Sequence, residues 1–151
     1  MVDNRPHTQR VERKDAIAAR CAAVMIGLVV IFQFAIVLGA PWGEYTQGGS
    51  HHGELDTAGR ALAGFSLLLL GVMACALLAR VGDGPMKSAP ARLVTALGWV
   101  TVVYLGLAVV MNLASRSPGE RIAWAPYSAV MFIIALLAMI RSRRAGEMAR
   151  G

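Results

Sequence analysis

Four long apolar runs with no ionisable side chain inside them constrain this chain more than any other feature. They cover residues 21–40, 61–79, 93–113 and 124–140, and the Asp, Glu, Lys, Arg and His residues lie in the segments between and around them. A helix needs about 20 apolar residues to cross a hydrocarbon core about 30 Å thick. The first three runs reach that length directly. The fourth reaches it by taking in Ile122 and Ala123 and by letting Arg141 extend its head to the interface. Composition agrees: 56% of the 151 residues are hydrophobic and 16% charged, where soluble domains carry roughly a quarter charged.

The expected fold is therefore all-α. It is an antiparallel bundle of four transmembrane helices, about 21–40, 61–79, 93–113 and 122–140, within a membrane domain of residues 16–140. Residues 1–15 are polar, carry Pro6 and show no apolar period, so they read as a disordered arm. Residues 141–151 form a basic tail. Left-handed crossings and neighbouring sequential helices are expected from the short connections.

The net charge of +6 is distributed with a bias. Twelve of the 15 Lys and Arg residues fall in the N-terminal arm, in the 80–92 loop and in the tail; only Arg60, Arg116 and Arg121 fall on the other side. Because basic loops are retained in the cytoplasm, this predicts both termini inside and loops 41–60 and 114–121 outside. Basic residues interleaved with aromatics are missing, so nucleic acid is not an expected partner. Membrane lipid is expected, and a protein partner or a homo-oligomer fits a bundle of this size. The basic arm before the first run resembles a secretory signal. That run is longer than a signal core, and Ala40 is followed by Pro41, so a retained anchor is expected. Cys21 and Cys75 map to the cytoplasmic halves of helices one and two and read as small buried residues rather than a disulfide.

In lipid, close packing of small residues and a few polar contacts hold helices together. Ala61, Gly64, Gly71, Cys75 and Ala79 make such a stripe on helix two, and Gly98, Thr101, Leu105, Ala108 and Asn112 on helix three. Helix one offers Ala23 and Gly27, helix four Ala125 and Ala129.

Membrane-embedded carboxylates and histidines mark proton relays and haem sites. Their absence from the middle of every span argues against a proton-coupled antiporter and against haem. The polar residues left inside are mostly mild. Gln33 and Asn112 lie in the outer halves of their helices, where they can meet as an interhelical hydrogen bond or as contacts to a ligand.

The outer loops carry the remaining chemistry. His51, His52 and Glu54 are a metal-ligand combination, although adjacent histidines point apart and the glycines loosen the loop. Asp56 or Thr57 is placed to cap helix two. Ser117-Pro118-Gly119-Glu120 fits a capping box, with Ser117 as N-cap and Glu120 reaching back to the N-cap amide, so helix four should start near Pro118 and bend at Pro126. Trp42, Tyr45 and Trp124 belong at the outer interface. The charged residues Glu44, Arg60, Arg116, Glu120 and Arg121 are expected to pair across the mouth and order loop 41–60 as a lid. A crevice under that lid, lined by Gln33, Trp42, Tyr45, Asn112 and Trp124, is the expected ligand site. No catalytic triad, phosphate loop or metalloprotease helix is present in the sequence.

Leu38-Gly39-Ala40-Pro41-Trp42-Gly43 and Gly48-Gly49, with Asn112, Ser115, Ser117, Glu120-Arg121 and Trp124-Ala125-Pro126, resemble a group of small four-helix bacterial membrane proteins. Members of that group carry a Gly-Ala-Pro-Trp-Gly segment after helix one and an Asn-x-x-Ser-x-Ser-x-x-Glu-Arg segment after helix three. The resemblance spans roughly residues 21–140. It departs at Gln47, where an aromatic commonly precedes the glycine pair, and at Asp56, where a proline commonly follows the loop leucine. It implies the four-helix fold, a bacterial cytoplasmic membrane and no particular activity or cofactor. The excess of arginine over lysine, with abundant alanine and glycine, fits a GC-rich bacterial genome.

The leading functional expectation is a non-enzymatic accessory subunit or small binding module whose recognition surface is the outer mouth. The alternatives are an oligomeric small-solute or lipid transporter or channel, and a membrane enzyme or metal-binding protein using the outer-loop histidines and carboxylates.

Overall fold

A computed structural model describes residues 7–49 and 51–148, with side chains over 16–49 and 51–141. Four helices follow one another, α1 over His7–Val37, α2 over Thr57–Ala79, α3 over Ala91–Ala114 and α4 over Pro118–Met148, and no strand occurs among the described residues. Each contains a stretch of 22–24 residues long and apolar enough to cross a membrane, a rise of about 35 Å. Their outward faces are apolar throughout: Val24, Leu28, Ile31, Leu68, Leu107, Met111 and Ile133 are all more than half exposed. A soluble protein does not leave so continuous an apolar surface in water. This is an integral membrane protein.

The buried residues of each helix follow a three–four alternation. The seam runs through Ala19, Ala22 and Ile26 on α1; Gly59, Ala63, Leu70, Met73 and Leu77 on α2; Val94, Gly98, Thr101 and Leu105 on α3; and Ala125, Ser128, Met131, Ala135 and Ala138 on α4, with Ala23, Ile36, Ala76, Val102, Glu120 and Met139 buried beside it. That spacing of 3.5 residues is the one by which nearly parallel or antiparallel helices keep one seam facing inward. The face of α2 differs from the small-residue stripe read in the sequence. Ala61 is exposed and Gly64, Gly71, Cys75 and Ala79 are only half-buried, because Ala63, Leu70, Met73 and Leu77 hold the core seam instead. Of the α3 stripe, Gly98, Thr101 and Leu105 are buried and Ala108 and Asn112 half-buried; a Cβ at Gly98 would lie 2.6 Å from the Met139 sulfur of α4.

The helices form a ring in which α1 packs most extensively on α2 and α3 on α4, α1 also lies on α4, and the α2–α3 seam is the thinnest. One end of the bundle holds the start of α1, the end of α4 and the 80–90 turn, where Arg20 of α1 pairs with Asp83 at 2.7 Å. The other, the mouth, holds loop one (38–56) and loop two (115–117).

Helical structure extends beyond the expected bounds. Residues 7–15, read as a disordered arm, are helical, and α4 continues through Pro126 and into the basic tail as far as Met148. The rest of that arm (1–6) and tail (149–151) lies outside the described residues. Pro126 lies inside α4, where it removes one amide and its ring crowds the Ile122 carbonyl; membrane helices tolerate such prolines where neighbouring groups take up the freed carbonyl.

Candidate functional site

Loop one owes its path to a few glycines. Helix α1 ends in a Schellman motif: Gly39, at φ +95°, donates its N–H to the Ile36 carbonyl at 3.0 Å, and Ala40 donates to the Ala35 carbonyl at 2.9 Å. The Val37 carbonyl, left over by the helix end, accepts from Arg60 Nε and Nη2 at 2.9 and 2.7 Å. A cation at a helix C-terminus also meets the negative end of its dipole. Leu55 is buried with Ile36 and Ala63 and pins the loop's far end, and Asp56 caps α2 by accepting from the Gly59 N–H at 2.8 Å. Between those anchors, the Gly43 N–H donates to the Gly53 carbonyl, and a Cβ at Gly43 would come within 2.7 Å of the His51 carbonyl oxygen.

The lid is fastened to α4 by hydrogen bonds. Residues Gln47, Gly48 and Gly49 all have positive φ, a turn that aims the Gly48 N–H at Glu120 Oε2, 3.0 Å away. Gln47 is held there by its side-chain amide, which donates to the Gly59 carbonyl at 2.8 Å. Ser117 Oγ donates to the Glu44 carbonyl at 2.7 Å, and Trp124 Nε1 donates to the Tyr45 carbonyl at 2.6 Å. The cation–anion pairing expected across the mouth is not how the loops meet. Among the described residues the loops are joined through Glu120, Ser117 and Trp124, while Arg60 serves α1, Arg116 and Arg121 stay exposed, and Glu44 contributes its backbone rather than its carboxylate.

The capping box is half as expected. Ser117 Oγ does accept from the Glu120 N–H at 3.2 Å, so α4 starts at Pro118. Glu120, however, does not return to the Ser117 amide, which donates to Ser115 Oγ instead. The Glu120 carboxylate turns into the bundle, is buried, and accepts from the Ser115 hydroxyl and the Gly48 amide. A motif that fixes the N–H of residue 120 leaves its side chain free to choose between two donors, and the tertiary partner wins.

Beneath this lid lies a cavity of about 140 Å³, close to the engineered apolar cavity of about 150 Å³ that takes up benzene. Its floor and sides are Val29, Leu70, Leu105 and Met131; its aromatic walls are Phe32, Tyr45, Tyr104 and Trp124. Gln33, Thr46, Asn112, Glu120 and Ser128 add oxygen and amide groups. The cavity exists because core seam positions near the mouth are filled by Gln33, Ala108, Asn112 and Ser128 rather than by large apolar side chains. Below it, Ile26, Met73, Leu77, Val102 and Met139 close the core.

Gln33 and Asn112 both line the cavity but do not bond to each other. Asn112 Nδ2 donates across to α4, to Ser128 Oγ at 3.2 Å and the Trp124 carbonyl at 3.4 Å. Gln33 Oε1 is buried without a hydrogen-bond partner. A buried acceptor left open costs about 1–3 kcal/mol. Phe32 joins the walls to the lid: Trp42 stacks on it at 5.8 Å and Trp124 meets it edge-on at 4.8 Å. Tyr127 extends this cluster and ties α4 to α1 by donating to the Met25 carbonyl at 2.8 Å.

Four of the five residues expected at the crevice, Gln33, Tyr45, Asn112 and Trp124, thus face one cavity, and Trp42 lies behind Phe32 rather than on its wall. The structure adds Phe32, Thr46, Tyr104, Glu120 and Ser128. A seam-position reading would have found Ser128, four residues after Trp124; the inward turn of Glu120 has no local signal. His51, His52 and Glu54 do not assemble into a metal-binding group: no cluster of three or more His, Cys, Asp or Glu side chains occurs among the described residues. His52 is exposed at a shallow surface depression with Glu44 and Arg116.

No family model, curated protein or solved structure matches the chain.

Proposed function

We propose that this protein is a non-enzymatic binding module of a bacterial cytoplasmic membrane, with both termini in the cytoplasm and the mouth cavity facing outward as its recognition element. The observation that carries the reading is the open acceptor Gln33 Oε1, buried in the wall of a cavity that also presents aromatic and apolar surface. Such a combination of apolar walls and a few convergent polar groups is what small-molecule sites share. The apolar plug below the cavity favours binding over conduction through a single chain. The arginine asymmetry along the sequence supports the orientation. The Gly-Ala-Pro-Trp-Gly and Asn-x-x-Ser-x-Ser-x-x-Glu-Arg segments support membership of the bacterial group they resemble. As an accessory subunit, the module would present its liganded lid to a protein partner or to a second copy, with lipid around the helices.

Native mass spectrometry of the full chain in lipid nanodiscs tests the reading. A stoichiometric small-molecule adduct is expected on the wild type and lost from Ala108→Phe, which fills the cavity. An adduct that survives in Ala108→Phe, or a wild type that carries none, would count against it.

A further inference from the structure

We infer that the cavity beneath the lid is a site for an organic ammonium ion, a primary or secondary amine carrying an apolar arm. This rests on the cavity being the ligand site, as proposed above, and adds the chemical class.

Three features select that class. The first is charge. Glu120 is buried at the cavity wall, and its carboxylate is held by two neutral donors, the Ser115 hydroxyl and the Gly48 amide. Among the described residues it has no cationic partner; the ion pair at the other end of the bundle belongs to Arg20 and Asp83. Buried carboxylates are ordinarily paired or coordinate a metal, and no cluster of three or more His, Cys, Asp or Glu side chains occurs among the described residues. The second is the set of aromatic rings, Phe32, Tyr45, Tyr104 and Trp124, on the same walls. Ring faces attract ammonium ions, most strongly where water is displaced. The third is the direction of hydrogen bonding. Asn112, Ser128 and Trp124 donate to protein oxygens, Gln33 Oε1 accepts nothing, and the Tyr45, Thr46 and Tyr104 hydroxyls on the same walls can both donate and accept. A ligand that brings N–H groups answers the open acceptor and the open charge together.

Other ligand classes answer fewer of these features. An alcohol can donate to Gln33 and leaves the Glu120 charge unmatched. A carboxylate or phosphate meets that charge head on. Arg116 lines a groove on the outer surface that Glu120 also borders. It is exposed, so solvent and salt screen it from a cation inside the cavity.

The experiment compares 2-phenylethylammonium, its neutral isostere 2-phenylethanol and the anion phenylacetate. Each is titrated by calorimetry into the full-length protein in nanodiscs, with tryptophan fluorescence reporting on Trp124. The ammonium ion is expected to bind at least about tenfold more tightly than the alcohol, the scale of one desolvated cation–π and carboxylate contact, and phenylacetate most weakly. Glu120→Gln keeps an acceptor for the Gly48 amide and should abolish the preference for the ammonium ion while leaving alcohol binding in place. Equal affinity for ammonium and alcohol in the wild type, which needs no variant, would overturn the ammonium assignment and leave a neutral-ligand cavity. So would a preference undiminished in Glu120→Gln. Failure of all three probes to bind would remove the binding reading itself.

Discussion

Replacing Gly49 by alanine should unfasten the lid, and the size of the effect can be worked from the geometry. Gly49 has φ +68°, a left-handed conformation that costs an L-residue about 1 kcal/mol. Its missing side chain also matters: a Cβ there would sit 2.5 Å from Ser117 Cβ and 3.2 Å from the Glu44 carbonyl oxygen. Two backbones cannot yield as a flexible side chain does, so the loops must separate. Separation breaks the Ser117–Glu44 hydrogen bond, worth about 1 kcal/mol, and leaves about 1 kcal/mol of residual overpacking. The total is about 3 kcal/mol against the closed lid. Gly48 is the internal control, since it has φ +77° but nothing within 4 Å of its Cβ position. Gly48→Ala should therefore lose only the conformational part, about 1 kcal/mol. Hydrogen exchange at the Trp124 indole N–H, which is bonded to Tyr45 of the lid, reads the opening directly. Exchange should accelerate roughly a hundredfold in Gly49→Ala and about fivefold in Gly48→Ala, at about 1.4 kcal/mol per tenfold. Wild-type protection in Gly49→Ala would refute the close-approach argument. Equal loosening by the two substitutions would show that backbone conformation alone sets the cost.

Other outcomes follow from the same geometry. Tyr127→Phe removes the bond from α4 to the Met25 carbonyl and should lower resistance to denaturing detergent by about 0.6–1 kcal/mol, with no change in helicity by circular dichroism. Arg60→Ala strips two donors from the Val37 carbonyl and should destabilise the α1 end and its loop by about 1–2 kcal/mol, seen as faster exchange of loop-one amides. Gly71→Ala, where nothing lies within 4 Å, should be neutral or stabilising by up to about 1 kcal/mol in a detergent unfolding series. In a Cys21→Ser/Cys75→Ala background, thiols introduced by His52→Cys and Gly146→Cys should label from opposite faces of sealed vesicles; labelling from one face would overturn the proposed topology.

The amino-acid order by itself determined that the chain crosses lipid four times, because ionisable residues are expensive in hydrocarbon and here are simply missing from four 17–21-residue stretches. It also narrowed the α2 cap to Asp56 or Thr57, of which Asp56 does the capping, and set the start of α4 at Pro118, since both caps bond residues three positions apart. It placed Gln33, Tyr45, Asn112 and Trp124 at one mouth, since each lies at the same depth of its helix or beside it.

Tertiary structure alone decided which face α2 buries, because several small-residue stripes on an apolar helix are equally permissible until a neighbour's side chains fill the grooves. It decided that Glu120 enters the cavity rather than closing its own capping box, and that Asn112 bonds to Ser128 while Gln33 bonds to nothing. Those choices turn on distances between residues 16 to 72 positions apart. A local pattern lists the available donors and acceptors; only the packed helices determine which of them come within reach.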